Sequence, residues 1–434
     1  MPSRTAACAL IALAISGCIA AAGCQPAASR VDALASADRR APSSAGATFT
    51  RGIPSAPVAT DAEKARAASA INQFGLDLLR ATEKRTLPGD PNTVMSPLSV
   101  HIALAMASDG AAGQTRAEMR SAMGVDDADD VAYRATIASI WNADQEQLQL
   151  ADSVWTQNGF PVRRSYDDLM RAHFAAEATS TDFASAAGPA AVNAWVARRT
   201  NGLITTALRG PDPALRVLLL NTAHFLAKWK VPFQPDETRP AAFHLATGKT
   251  VQVPTMHVED NFAQIGTANA DVIELPYQGG HASMLVFLPK PGVGVDSLLA
   301  SMTAQSVRDA EKSLAATKTW DVAVSLPKLK MTWRSDLVSP LESLGIRQAF
   351  LPGQADFSAM SESGPLWIGF VTHMTYLDVN EHTTEAAAAT GFGARGGYPP
   401  PPPQFDVDRP YVMALVDKPT GTMLFIAAIR DPSR

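Results

Sequence analysis

The sequence predicts one large α+β domain over residues 61–434, preceded by a flexible tether and an export signal. Helical and strand-like stretches are mixed irregularly after residue 61, with no internal repeat and no second linker, and the tract before them has a different composition. The 434 residues are 46% hydrophobic and 18% charged, which supplies apolar material for a sizeable core.

Residues 1–24 read as a signal segment. Arg4 precedes an apolar run over 6–15 that is too short to span a bilayer. Two small-residue sites, ending at Cys18 and Cys24, have the form of a bacterial lipobox. Cys18 has the better residue three positions upstream and Cys24 the more polar sequence behind it, so the lipid falls on Cys24 or Cys18. An ordinary cleaved signal is the alternative. The three cysteines, Cys8, Cys18 and Cys24, all belong to this region, so none is left for a disulfide, a thiolate nucleophile or a zinc site. The expected place is outside the cytoplasm, in the envelope or beyond it, with the membrane engaged only through the lipid. A net charge of -5 argues against nucleic acid or an anionic lipid surface as partner.

Residues 25–60 are rich in Ala, Ser and Pro without an apolar period, the composition of a tether. Helical pattern starts near Asp61, where Ile71, Phe74 and Leu78 share one face. A second helix fits 98–107. A third is predicted ahead of Met119 and Met123, with Thr115 and Glu118 as its capping box. Leu148, Leu150, Ser153 and Trp155 form a strand-like stretch of mixed alternation. Residues 217–229 are apolar enough for a strand buried on both faces, and 284–288, 322–326 and 423–429 are further strands.

Residues 383–397 stand apart. They begin with two threonines, a glutamate, four alanines and Thr390, then carry Gly391, Gly393, Gly396 and Gly397, ahead of an unbroken proline run over 399–403. A helix explains the alanines but not the glycines. An exposed segment that later becomes a strand accounts for both.

Several separated segments form an ordered series. They are 92–99 with Ser96, Pro97 and Ser99, and 110–119 with Gly113, Thr115 and Glu118. Asn221, Phe225, Trp229 and Phe233 follow, then Pro254 and Met256, Glu274 to Tyr277, Leu288 with Pro289, and Leu326 to Lys328. The series continues through Leu344 and Ile346, Phe357 and Ser358, His373, residues 379–390, Phe405, Arg409, Pro410 and Tyr411, and ends at Ile426. In order and spacing these segments resemble the signature regions of the serpin family; each is weak alone, and their ordered sum, from roughly residue 70 to the C-terminus, is specific. The sequence departs from the family at Thr383, where inhibitors usually have glycine, at Tyr411 in place of phenylalanine, and in a slightly long stretch over 381–410.

The resemblance implies a serpin fold, several helices around three β-sheets, with an exposed, insertable reactive-centre loop at about 381–404. It implies a monomeric inhibitor, not an enzyme, without cofactor or metal, whose partner is a target serine protease held in a covalent complex. The protease attacks the loop as substrate, and the freed N-terminal part of the loop enters the central sheet before water completes hydrolysis. The hinge is then Glu381, Thr383, Thr384, Ala386, Ala387, Ala388, Ala389 and Thr390. Strand side chains alternate, so Thr384, Ala386, Ala388 and Thr390 share a face, and small residues there avoid overpacking and buried charge. Ser96, Ser99, Asn221 and His373 correspond to a polar cluster where the sheet opens, and Trp229 to a residue beneath the point where insertion begins. Without the family, His373 reads as a satisfied core histidine and Trp229 as ordinary core.

The family's spacing from hinge to cut, about seventeen residues counted from Glu381, puts the reactive bond between Gly397 and Tyr398. A cut after Tyr398 would precede Pro399, which fits most serine proteases poorly. Arg395, cut ahead of Gly396, is the runner-up, because a guanidinium suits an acidic specificity pocket. Two other readings remain. A non-inhibitory serpin would act as carrier or chaperone. An exported serine hydrolase would use Ser325 with Lys328, although that pattern should open a helix and here carries Pro327.

Overall fold

The computed structural model describes residues 57–84, 92–143, 148–225, 227–381 and 401–434. The signal with Cys18 and Cys24, nearly all of the tether, and the loop residues from Thr383 to Tyr398 lie outside the described residues.

In chain order the helices are α1 (Asp61–Glu83), α2 (Pro97–Asp109), α3 (Gly113–Met123), α4 (Asp130–Ala143), α5 (Arg164–Phe174), α6 (Ala187–Arg199), α7 (Val295–Ser301), α8 (Ala304–Ala316) and α9 (Val338–Ser343). The first strands are β1 (Thr93–Met95), β2 (Leu148–Gln157), β3 (Glu177–Thr181), β4 (Val217–Phe225) and β5 (Arg239–His244). Then come β6 (Thr250–Gly266), β7 (Ala270–Pro276), β8 (Ala282–Pro289), β9 (Trp320–Pro327) and β10 (Leu329–Asp336). The last are β11 (Ile368–Val379), β12 (Gln404–Asp406), β13 (Tyr411–Asp417) and β14 (Thr422–Ile429).

Helix α1 starts where its chemistry allows. Thr60 accepts from the Glu63 amide and the Glu63 carboxylate accepts from the Thr60 amide, a reciprocal cap. Its apolar face buries Ile71, Phe74 and Leu78 as the spacing requires. Helix α2 is capped by Ser96, opens on Pro97 and is buried on nearly every side. It packs against β2, β4 and β14, so it lies behind the sheet that carries the site.

The expected capping box at α3 is not there. The helix begins three residues earlier, on Gly113, and Ala112 caps it without a side-chain bond. Thr115 instead donates to Gln348 Oε1 at 2.9 Å and accepts from the Asp356 amide. The Glu118 carboxylate accepts from the amides of Arg347 and Gln348. Both residues tie α3 to a distant segment, a use that local spacing does not distinguish from a cap.

One sheet has five strands in the order β10-β11-β4-β2-β3. Strand β4 is buried at every position. Val217, Leu219, Ala223 and Phe225 face the large core with α2, while Leu218 and Leu220 join Trp155, Trp195, Val196 and Met374 in a second core under α6. This two-sided burial matches the uninterrupted apolar run. The strand stops at Phe225, short of the expected end at Trp229, and Trp229 returns as an isolated bridge to Tyr277. The remaining strands form one network, β1-β14-β13-β8-β7-β6-β9-β12 with β5 on β6. The long β6 pairs with β5 and β9 through its first part and with β7 through its last, so two of the three expected sheets are joined through it.

Candidate functional site

The middle of the five-stranded sheet holds a parallel pair, β11 with β4, flanked by antiparallel partners, β10 outside β11 and β2 outside β4. His373, Asn221 and Asp152 stand in register across β11, β4 and β2. All three are buried on the α2 side. The Ser96 amide donates to His373 Nε2 at 3.0 Å, so that nitrogen carries the lone pair and Nδ1 the hydrogen. Nδ1–H then donates to Asn221 Oδ1, which bridges the two parallel strands through side chains. With its oxygen so engaged, the Asn221 amide nitrogen points the other way. It donates to the Ser99 carbonyl at 2.7 Å, to Ser99 Oγ and to Asp152 Oδ1. Ser96 Oγ accepts from the Ser99 amide and completes the set.

Burial pushes His373 down to about 3, which keeps the imidazole neutral. Trp333 lies edge-on to it at 6.0 Å. The structure thus brings Ser96, Ser99, Asn221 and His373 together. Sequence reasoning missed Asp152, although an acid amid the apolar residues of β2 was the available signal.

At the end of β11 the chain leaves the sheet through Asn380 and Glu381. Trp229 is buried and stacks on Tyr277 at 4.4 Å; its Nε1–H donates to the Asn380 carbonyl at 2.9 Å. Glu381 is also buried, with Thr238 Oγ1 donating to Oε1 at 2.5 Å and Lys328 Nζ 2.6 Å from Oε2. Burial raises its pKa, but the Lys328 and Thr238 contacts outweigh burial and hold the carboxyl below its usual value.

The far end of the segment 382–400 is tied to the same stretch of chain. Strand β12 pairs in parallel with β9, and Ser325 Oγ donates to Asp406 Oδ1 at 2.6 Å. The pattern from Ser325 to Lys328 ends β9 rather than opening a helix, and its serine and lysine contact Asp406 and Glu381, on either side of the segment 382–400. No group of His, Cys, Asp or Glu among the described residues is arranged to hold a metal, and none of the described helices is long and apolar enough to cross a membrane.

A sequence profile of the family described as Serpin (serine protease inhibitor) matches residues 69–432. The chain is 32% identical to an uncharacterized serpin-like protein of Thermococcus kodakarensis, over 84% of this chain and 85% of that one. It is 30% identical to neuroserpin of Homo sapiens, over 86% and 92%. Among solved structures it is similar to the thermophilic serpin tengpin in the native state, with TM-score 0.74, 28% identity and coverage of 84% and 94%. It is likewise similar to thyroxine-binding globulin in complex with thyroxine, with TM-score 0.74, 25% identity and coverage of 84% and 99%. The chain belongs to the serpin family.

Proposed function

We propose that this serpin is a single-use inhibitor of serine proteases, working as a monomer and exported with a lipid on Cys24 or Cys18. Residues 25–60 serve as tether and 61–434 as the inhibitory domain. The observation that carries this reading is the parallel β4/β11 pair, from whose end the segment 382–400 departs. A strand folding back from Glu381 runs antiparallel to β11, and because β4 is parallel to β11, antiparallel to β4 as well. Insertion replaces one parallel ladder with two antiparallel ones, the slightly more stable pairing.

In the reaction the protease's serine oxygen adds to the Gly397 carbonyl while its proton passes to the protease's own base. The bond to the Tyr398 nitrogen breaks, the amine leaves with that proton, and an ester joins the two proteins. Inserting about 15 residues at ~3.3 Å each carries the ester roughly 50 Å. The small hinge residues Ala386 to Ala389 suit that strand, while Thr383 slows its first step. Ser96, Ser99, Asn221 and His373, with Asp152, hold the pair closed until then, and Trp229 and Glu381 pin the loop's start.

Incubation with a panel of serine proteases tests this on a denaturing gel. A matched protease gives a band heavier than the inhibitor, and the released C-terminal peptide begins at Tyr398, or at Gly396 if Arg395 is recognised. Cleaved inhibitor with fully active protease across the panel overturns the reading.

A second reading, carriage of a small molecule by a non-inhibitory member, is favoured by a cavity of about 250 Å³ between α8, β8 and β13. Leu285, Ala315 and Val416 supply its apolar lining, and Glu311, pushed up to about 7 by burial, faces it as well. The similar thyroxine-binding globulin was solved with thyroxine. A ligand retained through purification, with no covalent complex for any protease, supports carriage over inhibition.

A further inference from the structure

His224 is a buried ionisable side chain on the β4/β11 pair that the cluster around Asn221 does not use. It lies on the opposite face of β4 and is 3% exposed. Among the described residues, neither of its ring nitrogens has a hydrogen-bond partner. A neutral imidazole can donate from one nitrogen and accept at the other, so leaving both unmade in the interior costs free energy. Where a native structure keeps such a cost, the position commonly serves function.

The placement is specific. His224 and Tyr376 are register partners across the parallel pair, and their rings meet edge-on at 5.0 Å and 81°. One register step beyond, the pair ends at Phe225 and Leu377, and Asn380 and Glu381 follow. A strand returning from Glu381 therefore separates His224 from Tyr376 among its first events.

The charged groups on this face are few. Asp378 follows Tyr376 on β11 and accepts from its hydroxyl at 3.0 Å. Lys330 and Arg334 on β10 stand in register with Asp378 and Met374, and Arg334 donates to the Ala207 carbonyl. Burial holds His224 below its ordinary pKa, and Asp378 opposes this to a smaller extent. His373 and Asp152 belong to the other face.

We propose that His224 is a pH-responsive latch: neutral and wedged against Tyr376 while β4 and β11 are paired, it takes a proton from solvent once they part. The proposal deepens the insertion mechanism and rests on it. The sign follows from proton uptake. The closed sheet excludes the imidazolium, whereas in the parted sheet the ring regains water and an ordinary pKa near 6.5. Acid below that value favours parting, by up to about tenfold between pH 7.5 and pH 5.5.

The experiment measures the rate at which a labelled synthetic peptide with the sequence of residues 382–395 anneals into the full-length protein at pH 7.5 and pH 5.5. The unaltered protein is expected to accelerate several-fold at the lower pH. His224→Phe and His224→Tyr keep an edge contact with Tyr376 but cannot titrate, and their rates are expected to differ by less than twofold between the two pH values. No acceleration in the unaltered protein, or equal acceleration in it and a folded variant, overturns the latch. Failure to anneal at either pH, with no rise in melting temperature on loop cleavage, rejects the insertion mechanism and the latch with it.

Discussion

Lys328 Nζ lies 2.6 Å from the Glu381 carboxylate, whose side chain is 3% exposed, and the ion pair is reinforced by the Thr238 hydroxyl. Because the carboxyl is held below its usual 4.5 in the folded chain, its contribution is fully present above that unfolded value. It is lost as pH falls through the lowered one. Lys328→Ala leaves the buried acid without its cation, held only by the Thr238 hydroxyl and its own backbone amide, and is expected to loosen the start of the segment by about 1–3 kcal/mol. Thermal unfolding of the variant at pH 7 should show the deficit, and the gap to the unaltered protein should close in strong acid; a constant gap would show that the charge pair is not its source. Sequence reasoning named Glu381 by resemblance but gave it no partner, since nothing within 50 residues of it suggests Lys328. Asp152 was missed for a related reason. A single acid in a strand reads as solvent-facing until Asn221 is placed beside it. His373 and Asn221, by contrast, were legible through ordered motifs, although their hydrogen-bond directions required the Ser96 amide.

At the scale of elements, the long apolar runs were the readable ones. Strands β4, β8 and β14 fall where burial on both faces demands unbroken hydrophobic sequence, and α1 where three- and four-residue spacing gives one apolar face. Strand β6 was not foreseen, because its burial alternates irregularly as it passes from one ladder to another. The Thr115 and Glu118 pattern misled because a helix surface can spend the same residues on tertiary bonds. Strand direction was also invisible, and the β4/β11 pair is parallel only because of how the chain travels between the two strands. That direction gives the hinge its test. If Thr384 enters between β4 and β11 on an inward face, Thr384→Arg buries an unpaired charge and blocks entry. The variant should keep its fold and be cleaved as substrate, with covalent complex on the gel reduced at least tenfold; undiminished trapping would mean that Thr384 faces solvent or that no strand enters.

For the whole molecule, the proposed insertion would add to the five-stranded sheet one strand supplied by the chain itself. Residues 382–397 contain no proline, and proline first appears at Pro399, so the segment able to join the sheet ends close to the predicted reactive bond. The uncut chain cannot readily deliver it, because its far foot is held by β12 on β9 and by the Asp406 contact with Ser325. Cutting releases that restraint without removing any contact of the described core. If a dozen or so new backbone hydrogen bonds contribute ~1 kcal/mol each, the cleaved form gains on the order of 10 kcal/mol, comparable to the stability of an entire domain. The intact protein is then kinetically trapped rather than at its minimum. Since 1 kcal/mol moves the melting point of a large domain by about 2 °C, cleavage within 391–398 should raise Tm by on the order of 15 °C or more. Calorimetry of intact and loop-cleaved protein decides it. A cleaved chain melting at or below the intact one would place the native five-stranded sheet at its energetic minimum and leave the trap without a driving force.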